Sequence, residues 1–219
     1  MNKTLIKLVV GVFSVFVANS AFAELLVNPV SKTSMSGMEL SGHFGSSSVE
    51  YERNGVSGDI DRTFLGVTAA YGASRSFDIY GTFSYTIEAE AEGIPGDDTG
   101  YILGGGVRGS IPNDMGFTLH GYAQLLLIDE EYGFSVDGEE TSIMAGVVAS
   151  APLNKDIKIY GGMELNLISD MEINSADADR DDFLGFRFGA NFDTGSFLVN
   201  VNTALIHENG IFISMSQPF

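Results

Sequence analysis

A closed, antiparallel transmembrane β-barrel of about ten strands is the all-β fold that this 219-residue sequence predicts, on three observations. The chain repeats runs in which apolar side chains take every second position, the mark of a strand with one apolar face. The opposite face is rich in Gly, Ser, Thr and Asn and poor in charge, which suits a crowded barrel interior better than a surface facing water. The breaks between runs alternate between short ones and mostly longer, acidic ones, as the two ends of an outer-membrane barrel do.

The elements follow in chain order. Residues 1–23 carry Lys3 and Lys7, an apolar stretch over 8–17, and Ala21-Phe22-Ala23 as a small-x-small cleavage pattern. That stretch is too short for a spanning helix, which needs roughly 20 apolar residues, so 1–23 reads as a cleavable signal peptide with Glu24 as the mature N-terminus. Residues 24–37 read as a short periplasmic N-terminal segment and 38–219 as the barrel.

The first run sets Met38, Leu40 and Phe44 against Glu39, Ser41 and His43, and the second sets Leu65, Val67 and Tyr71 against Gly66 and Thr68. Phe77, Ile79, Phe83, Tyr85 and Ile87 then oppose Asp78, Tyr80, Thr82 and Ser84. Tyr101, Leu103 and Val107 oppose Gly104, Gly106 and Arg108 in the fourth run. Phe117, Leu119, Leu125 and Leu127 oppose His120, Tyr122 and Gln124 in the fifth. The sixth sets Ile143 and Val147 against Met144 and Ser150, and the seventh sets Met163 and Leu165 against Glu164 and Asn166. Leu184, Phe186 and Phe188 oppose Arg187; Val199 and Val201 oppose Asn200 and Asn202; residues 211–219 form the last run.

Short breaks fall at 73–76, 111–115, 151–156 and 193–196, and acidic ones at 52–61, 90–99, 129–141 and 170–182, with a tight turn at 207–210. Aromatic residues near run ends, among them Tyr71, Phe77, Phe117 and Phe219, match interfacial girdles. Lipid cannot satisfy an open sheet edge, so the sheet must close. An even strand number returns the C-terminus to the periplasmic side; ten fits the breaks, and eight is the alternative if a weak pair around 197–206 is not a full crossing.

Composition narrows the function. The formal charge is −18 and becomes −20 once Lys3 and Lys7 leave with the leader, which excludes a nucleic-acid partner that needs clustered cations. Yet 44% of residues are hydrophobic and the mean hydropathy is +0.14, too apolar for an acidic disordered chain. With no cysteine there is no disulfide framework, thiolate metal site or cysteine nucleophile.

The leader, the alternating runs and the terminal Phe219 together resemble the small bacterial outer-membrane β-barrel proteins, the class that contains the OmpA membrane domain and OmpX. The resemblance spans nearly the whole mature chain and rests on pattern. It implies export through the Sec pathway, residence in the Gram-negative outer membrane, and contact with outer-membrane lipid and the barrel-assembly machinery. The last run, with Ile211, Ile213, Met215 and Phe219 at alternate places, resembles the signal which that machinery reads, although Gln217 and Pro218 depart from the usual ending.

Enzymatic barrels place acidic and histidine groups at the outer rim; here only His207 falls there, and His43 and His120 lie on interior faces. The sequence His207-Glu208-Asn209 has Asn209 where lipid A deacylase barrels carry serine, and no nucleophile–base pair is legible. Asp177, Asp179 and Asp181 space carboxylates at alternate positions and form a candidate Ca²⁺ site, set against the plainer reading of a solvated acidic loop. Folding the seventh run against the eighth brings Glu164 near Arg187, an expected ion pair inside the lumen. No cofactor is otherwise implied. The expected role is a non-enzymatic structural or surface-interaction barrel that displays acidic loops to an unidentified extracellular ligand. A narrow cation-preferring pore is the alternative, and a lipid-modifying enzyme or protease comes third.

Overall fold

The computed structural model of the chain describes residues 26–219 except 32, 54, 95, 97, 112, 113, 115, 134, 135, 181, 182, 207 and 208; the expected signal peptide 1–23 therefore lies outside the described residues. Alternation makes strands. They are β1 (Met38–Arg53), β2 (Val56–Tyr71), β3 (Phe77–Ala91), β4 (Asp98–Ile111), β5 (Thr118–Tyr132), β6 (Val136–Pro152), β7 (Ile157–Ile173), β8 (Ala176–Arg180), β9 (Leu184–Asp193), β10 (Leu198–Ile206) and β11 (Asn209–Pro218).

Every neighbouring pair is antiparallel, and the sheet closes where β11 meets β1, from Glu39↔Pro218 to Ser48↔Asn209. β8 and β9 both pair with β7 and form the two halves of one crossing, so the wall has the ten crossings that the sequence predicts. We call the end with the barrel's two termini the lower, periplasmic end and the other the upper end.

The ring changes size along its axis. The pairing of β10 with β11 ends at Ala204↔Gly210, below the top of the wall. Above it β8 leans across and pairs with β1 through Tyr51↔Arg180 and Glu52↔Asp179. Ten strands thus enclose the lower lumen, and eight, β1 to β8, enclose the upper part.

The outer face is apolar over the middle of the wall: Leu40, Phe44, Leu65, Val67, Phe83, Leu103, Leu125 and Met163 are each 42–53% exposed. In a water-soluble fold such a belt would be an aggregation hazard; around a closed sheet with a polar interior it is a lipid-facing surface. Above the belt the pattern reverses. Asp59, Asp61, Glu88, Glu90, Asp129, Glu139, Asp170 and Glu172 point outward there. Tyr51, Ile60, Ala89, Ala91, Tyr132, Met171, Ile173 and Ala178 pack inside. Bulges mark the change of pattern in two strands: adjacent Ile87 and Glu88 are both exposed in β3, as are Leu167 and Ile168 in β7, where the registers shift.

This reversal corrects the expected long acidic loops at 52–61, 129–141 and 170–182. Those segments are largely strand, whereas 90–99 keeps its break between the end of β3 at Ala91 and the start of β4 at Asp98; β7 turns into β8 through Asn174 and Ser175 alone, both at positive φ as a two-residue hairpin demands. Acidic side chains there alternate with apolar or ion-paired ones, so the ladder continues past the lipid with its polarity inverted.

Lumen aromatics and glycines are matched strand by strand. Tyr51, Phe64, Tyr80, Tyr122 and Tyr160 stand directly opposite Gly58, Gly45, Gly106, Gly146 and Gly189 on the adjacent strand. A β-carbon at any of those glycines would meet the facing aromatic side chain. The glycines are the slots in which the rings lie.

The lipid boundary can be located by substitution. Ala123 faces outward at mid-belt between Val107 and Ala145. Ala123→Arg should lose about 2–4 kcal/mol of unfolding free energy relative to Ala123→Leu in urea titrations in liposomes. Glu139→Arg, on the same wall above the belt, should leave stability unchanged or raise it.

Candidate functional site

The lumen is built from inward-facing polar positions of a wall whose outside cannot be solvated, so its charges must satisfy one another. Three arginines, Arg62, Arg108 and Arg187, are buried in it, each at 2% exposure or less.

At the lower end Arg108 of β4 donates from Nη2 to Glu39 Oε1 at 2.8 Å and from Nε to Asp78 Oδ2 at 3.3 Å. Its Nη1 reaches the Asn28 carbonyl at 3.0 Å. Asn28 belongs to the segment expected in the periplasm. Residues 26–31 and Thr33 instead turn up into the lumen and are buried. Asp78 Oδ2 accepts from Thr33 N at 2.8 Å and Thr33 Oγ1 at 3.0 Å, and Glu39 accepts from Ser31 Oγ. Asn28 Nδ2 donates to Asn191 Oδ1 at 2.9 Å, and Thr68 Oγ1 donates to the Leu26 carbonyl at 2.8 Å. Val27 and Val30 pack on Ala70, Tyr80, Tyr122, Val148 and Tyr160. The segment bends into the barrel at Ser36, which has a positive φ, and passes Gly72, where a β-carbon would strike the Ser34 carbonyl.

The structure brings Glu164 and Arg187 together. Arg187 donates from Nε at 2.7 Å and from Nη2 at 3.0 Å, a two-pronged contact, and Tyr122 OH donates to the same carboxylate. Arg187 Nη1 also donates to Asn202, and Asn202, Asn200 and Asn191 continue the chain of hydrogen bonds to Asn28.

Above this layer Leu26 meets Phe64, Ile102, Leu126, Ile128 and Phe212 in an apolar plug. Higher still Arg62 binds Glu130 at 2.6 Å and Glu140 at 3.2 Å, with Thr86 donating to Glu130 at 2.9 Å. The upper apolar cluster closes the eight-stranded part.

Two serine–histidine contacts, unseen in the sequence because they join different strands, lie in the wall: His43 Nε2 to Ser84 Oγ at 2.7 Å and His120 Nε2 to Ser150 Oγ at 2.9 Å. Ser84 is fully buried and Ser150 is 2% exposed, so neither hydroxyl is open to a substrate, and His43 lies against Phe212 and Phe64. His207 lies outside the described residues.

The outer rim carries a row of like charges. Asp129, Glu139, Glu172 and Asp177 stand directly opposite one another across β5, β6, β7 and β8, with Tyr101 of β4 donating its hydroxyl to Asp129. A groove of about 360 Å³ runs along this wall over Tyr101, Leu103 and Leu127. Asp59 of β2 sits among other carboxylates: burial first, then Asp61 and Glu92, raise its pKa above the ordinary carboxylate value. Of the three candidate calcium ligands, Asp177 lies in this row within a strand, Asp179 pairs with Glu52 through the backbone ladder, and Asp181 lies outside the described residues. Among the described residues no three His, Asp or Glu side chains converge as a metal-ligand set. At the other end of the closing strand, Ile213 and Met215 face outward on β11, and Phe219 pairs with Met38 through backbone hydrogen bonds at 2.7 and 3.2 Å.

No protein-family model and no curated protein sequence matches the chain. Solved structures do. The COG4313 outer membrane channel from Pseudomonas putida F1 superposes with a TM-score of 0.52 at 11% identity, over 88% of this chain and all of that one. The translocator domain of autotransporter NalP from Neisseria meningitidis gives 0.46 at 13% identity, over 84% of this chain and 88% of that one. The outer membrane protein AlkL gives 0.48 at 11% identity, over 90% and 97%. The likeness to the first supports the fold, a closed barrel of the outer-membrane type.

The buried pair has a measurable signature. Glu164→Ala strands Arg187 in the lumen and should cost about 3–5 kcal/mol in urea unfolding in liposomes. The double variant Glu164→Leu/Arg187→Met should recover most of that loss, since it removes both charges.

Proposed function

We propose that the chain is a closed outer-membrane barrel that neither conducts nor catalyses, and that it works through its acidic outer rim as a surface-interaction protein. The observation that carries this reading is the filled lumen: each level holds an arginine with its carboxylates or a packed apolar cluster, and the N-terminal segment occupies the widest part. A narrow cation-preferring pore would need a continuous wet path, and the Arg62 and Arg108 pairs and the apolar clusters lie across it.

The rim supports the interaction half of the proposal. Carboxylates directly opposite one another on neighbouring strands repel, so the row Asp129, Glu139, Glu172 and Asp177 costs stability. Among the described residues the exposed basic side chains, Arg75 and Lys155 in the lower turns and Lys158 at the lower mouth, lie at the lower end. Such a surface attracts a cationic partner, or lipid phosphates bridged by divalent cations, and repels bare phosphate. The calcium reading of Asp177, Asp179 and Asp181 narrows on this view to loosely held counter-ions.

Planar-bilayer recording of the full mature chain in molar KCl tests the closed state. The expected result is a quiet membrane after insertion, with no stepwise steady conductance. Regular cation-selective steps would replace this reading with the pore. For the rim, polylysine should bind to reconstituted barrel in a salt-sensitive way and bind several-fold more weakly to the variant Asp129→Asn/Glu139→Gln/Glu172→Gln.

A further inference from the structure

The wall of this barrel is complete without residues 26–33. Every strand finds its ladder partners among the other strands, and none of the described residues of that segment is in a strand. What holds the segment is a set of side-chain contacts from five separate strands: Glu39 of β1, Thr68 of β2, Asp78 of β3, Arg108 of β4 and Asn191 of β9. These groups read both backbone and side chain. Asp78 takes the Thr33 amide and hydroxyl, Arg108 and Thr68 take the Asn28 and Leu26 carbonyls, and Asn191 and Glu39 take the Asn28 and Ser31 side chains. Apolar floor positions accept Val27 and Val30 between these polar anchors.

That is the construction of a peptide-binding cleft. We propose that the lower lumen is a binding site for an extended peptide, and that residues 26–33 are its resident ligand rather than a part of the barrel. The sequence it reads is Asn28-Pro29-Val30-Ser31 followed, one residue on, by Thr33: an amide, an aliphatic residue, then two hydroxyl residues. Pro29 contributes no N–H, so the cleft has one fewer donor to satisfy at its centre. The anchors suit reversible occupancy, because Glu39, Asp78 and Arg108 remain paired with one another when the peptide leaves and then face the periplasmic water at the lower mouth. The eight-stranded part above stays closed by its own side chains. The proposal therefore does not require the barrel to conduct, and its failure is separable from that of the closed-barrel reading.

The chain has no cysteine, so a single reporter thiol is unambiguous. Ala70 is 3% exposed and lies under Val27 and Val30. Ala70→Cys is placed in the full mature chain and in a chain lacking residues 24–33, both reconstituted and checked for folded, heat-modifiable gel mobility. Each is then treated with a membrane-impermeant maleimide from the lower side. The expected result is labelling at least tenfold faster without the segment, with folded mobility retained. A synthetic peptide of residues 24–33 should return the rate to that of the full chain, and a peptide carrying Asn28→Ala and Thr33→Val should not. In the full chain Asn28→Ala/Thr33→Val should itself speed labelling. Equal labelling in both chains, a truncated chain that loses its folded mobility, or a peptide that gives no protection would each overturn the proposal.

Discussion

Three guanidinium groups without access to bulk water decide what the inside of this barrel can be. A buried cation is tolerable only beside a carboxylate, so Arg62, Arg108 and Arg187 each fix at least one acidic partner inside the lumen. Two of them tie together strands that are not neighbours in the sheet, β2 to β5 and β6 through Arg62 and β4 to β1 through Arg108, while Arg187 clamps the neighbouring strands β9 and β7. The ladder defines only which strand lies beside which; the Arg62 and Arg108 pairs hold strands from separate parts of the wall at a fixed separation. With no cysteine in the chain, these pairs and the closure of β11 on β1 supply the long-range constraints.

The wall meets two solvents, and its sequence changes rule between them. In lipid the outward positions are Phe, Leu, Val and Tyr and the inward ones are polar. Above the lipid the outward positions are Asp and Glu and the inward ones are Tyr, Ile, Met and Ala, the ordinary rule of a water-soluble sheet. The same strands obey both because period-two alternation is indifferent to which face is apolar. The upper cluster therefore behaves as a small soluble barrel mounted on a transmembrane one.

This explains what the sequence makes legible. Strand count, closure and the face assignment of the belt follow from alternation, which lipid enforces strictly. The pair of Glu164 and Arg187 is legible because both stand out as charges on an otherwise small, neutral face. The segments 52–61, 129–141 and 170–182 read as loops because a run of charges marks the end of a lipid-facing strand, whereas the strands run on with the polarity of their faces inverted; the signal is the apolar residues that recur at every second place above the belt, among them Ile60, Tyr132, Met171 and Ile173. The lumen position of residues 26–31 and Thr33 has a fainter signal. Leu26, Val27 and Val30 have no strand periodicity, and only their apolarity directly after the expected leader sets them apart from a water-exposed segment. The His43–Ser84 and His120–Ser150 contacts depend on cross-strand register, which alternation alone leaves open.

The change from ten strands to eight makes these features parts of one design. Barrel width grows with strand number, and about eight strands enclose a space that side chains alone can fill. Above the β10–β11 hairpin the ring has eight strands, and Tyr51, Tyr132, Met171 and Ile173 fill it. Below, two more strands widen the ring, while its inward positions include Gly66, Gly104, Gly106 and Gly189, each on a strand that also faces the segment or its anchors. Tyrosines laid flat over glycines do not fill such a bore, because each ring occupies the slot of its own neighbour. Some other matter must, and the chain's own N-terminal segment occupies the ten-stranded part up to Leu26, where the apolar plug of Phe64, Leu126 and Phe212 begins. The taper and the segment answer the same problem of volume at different heights.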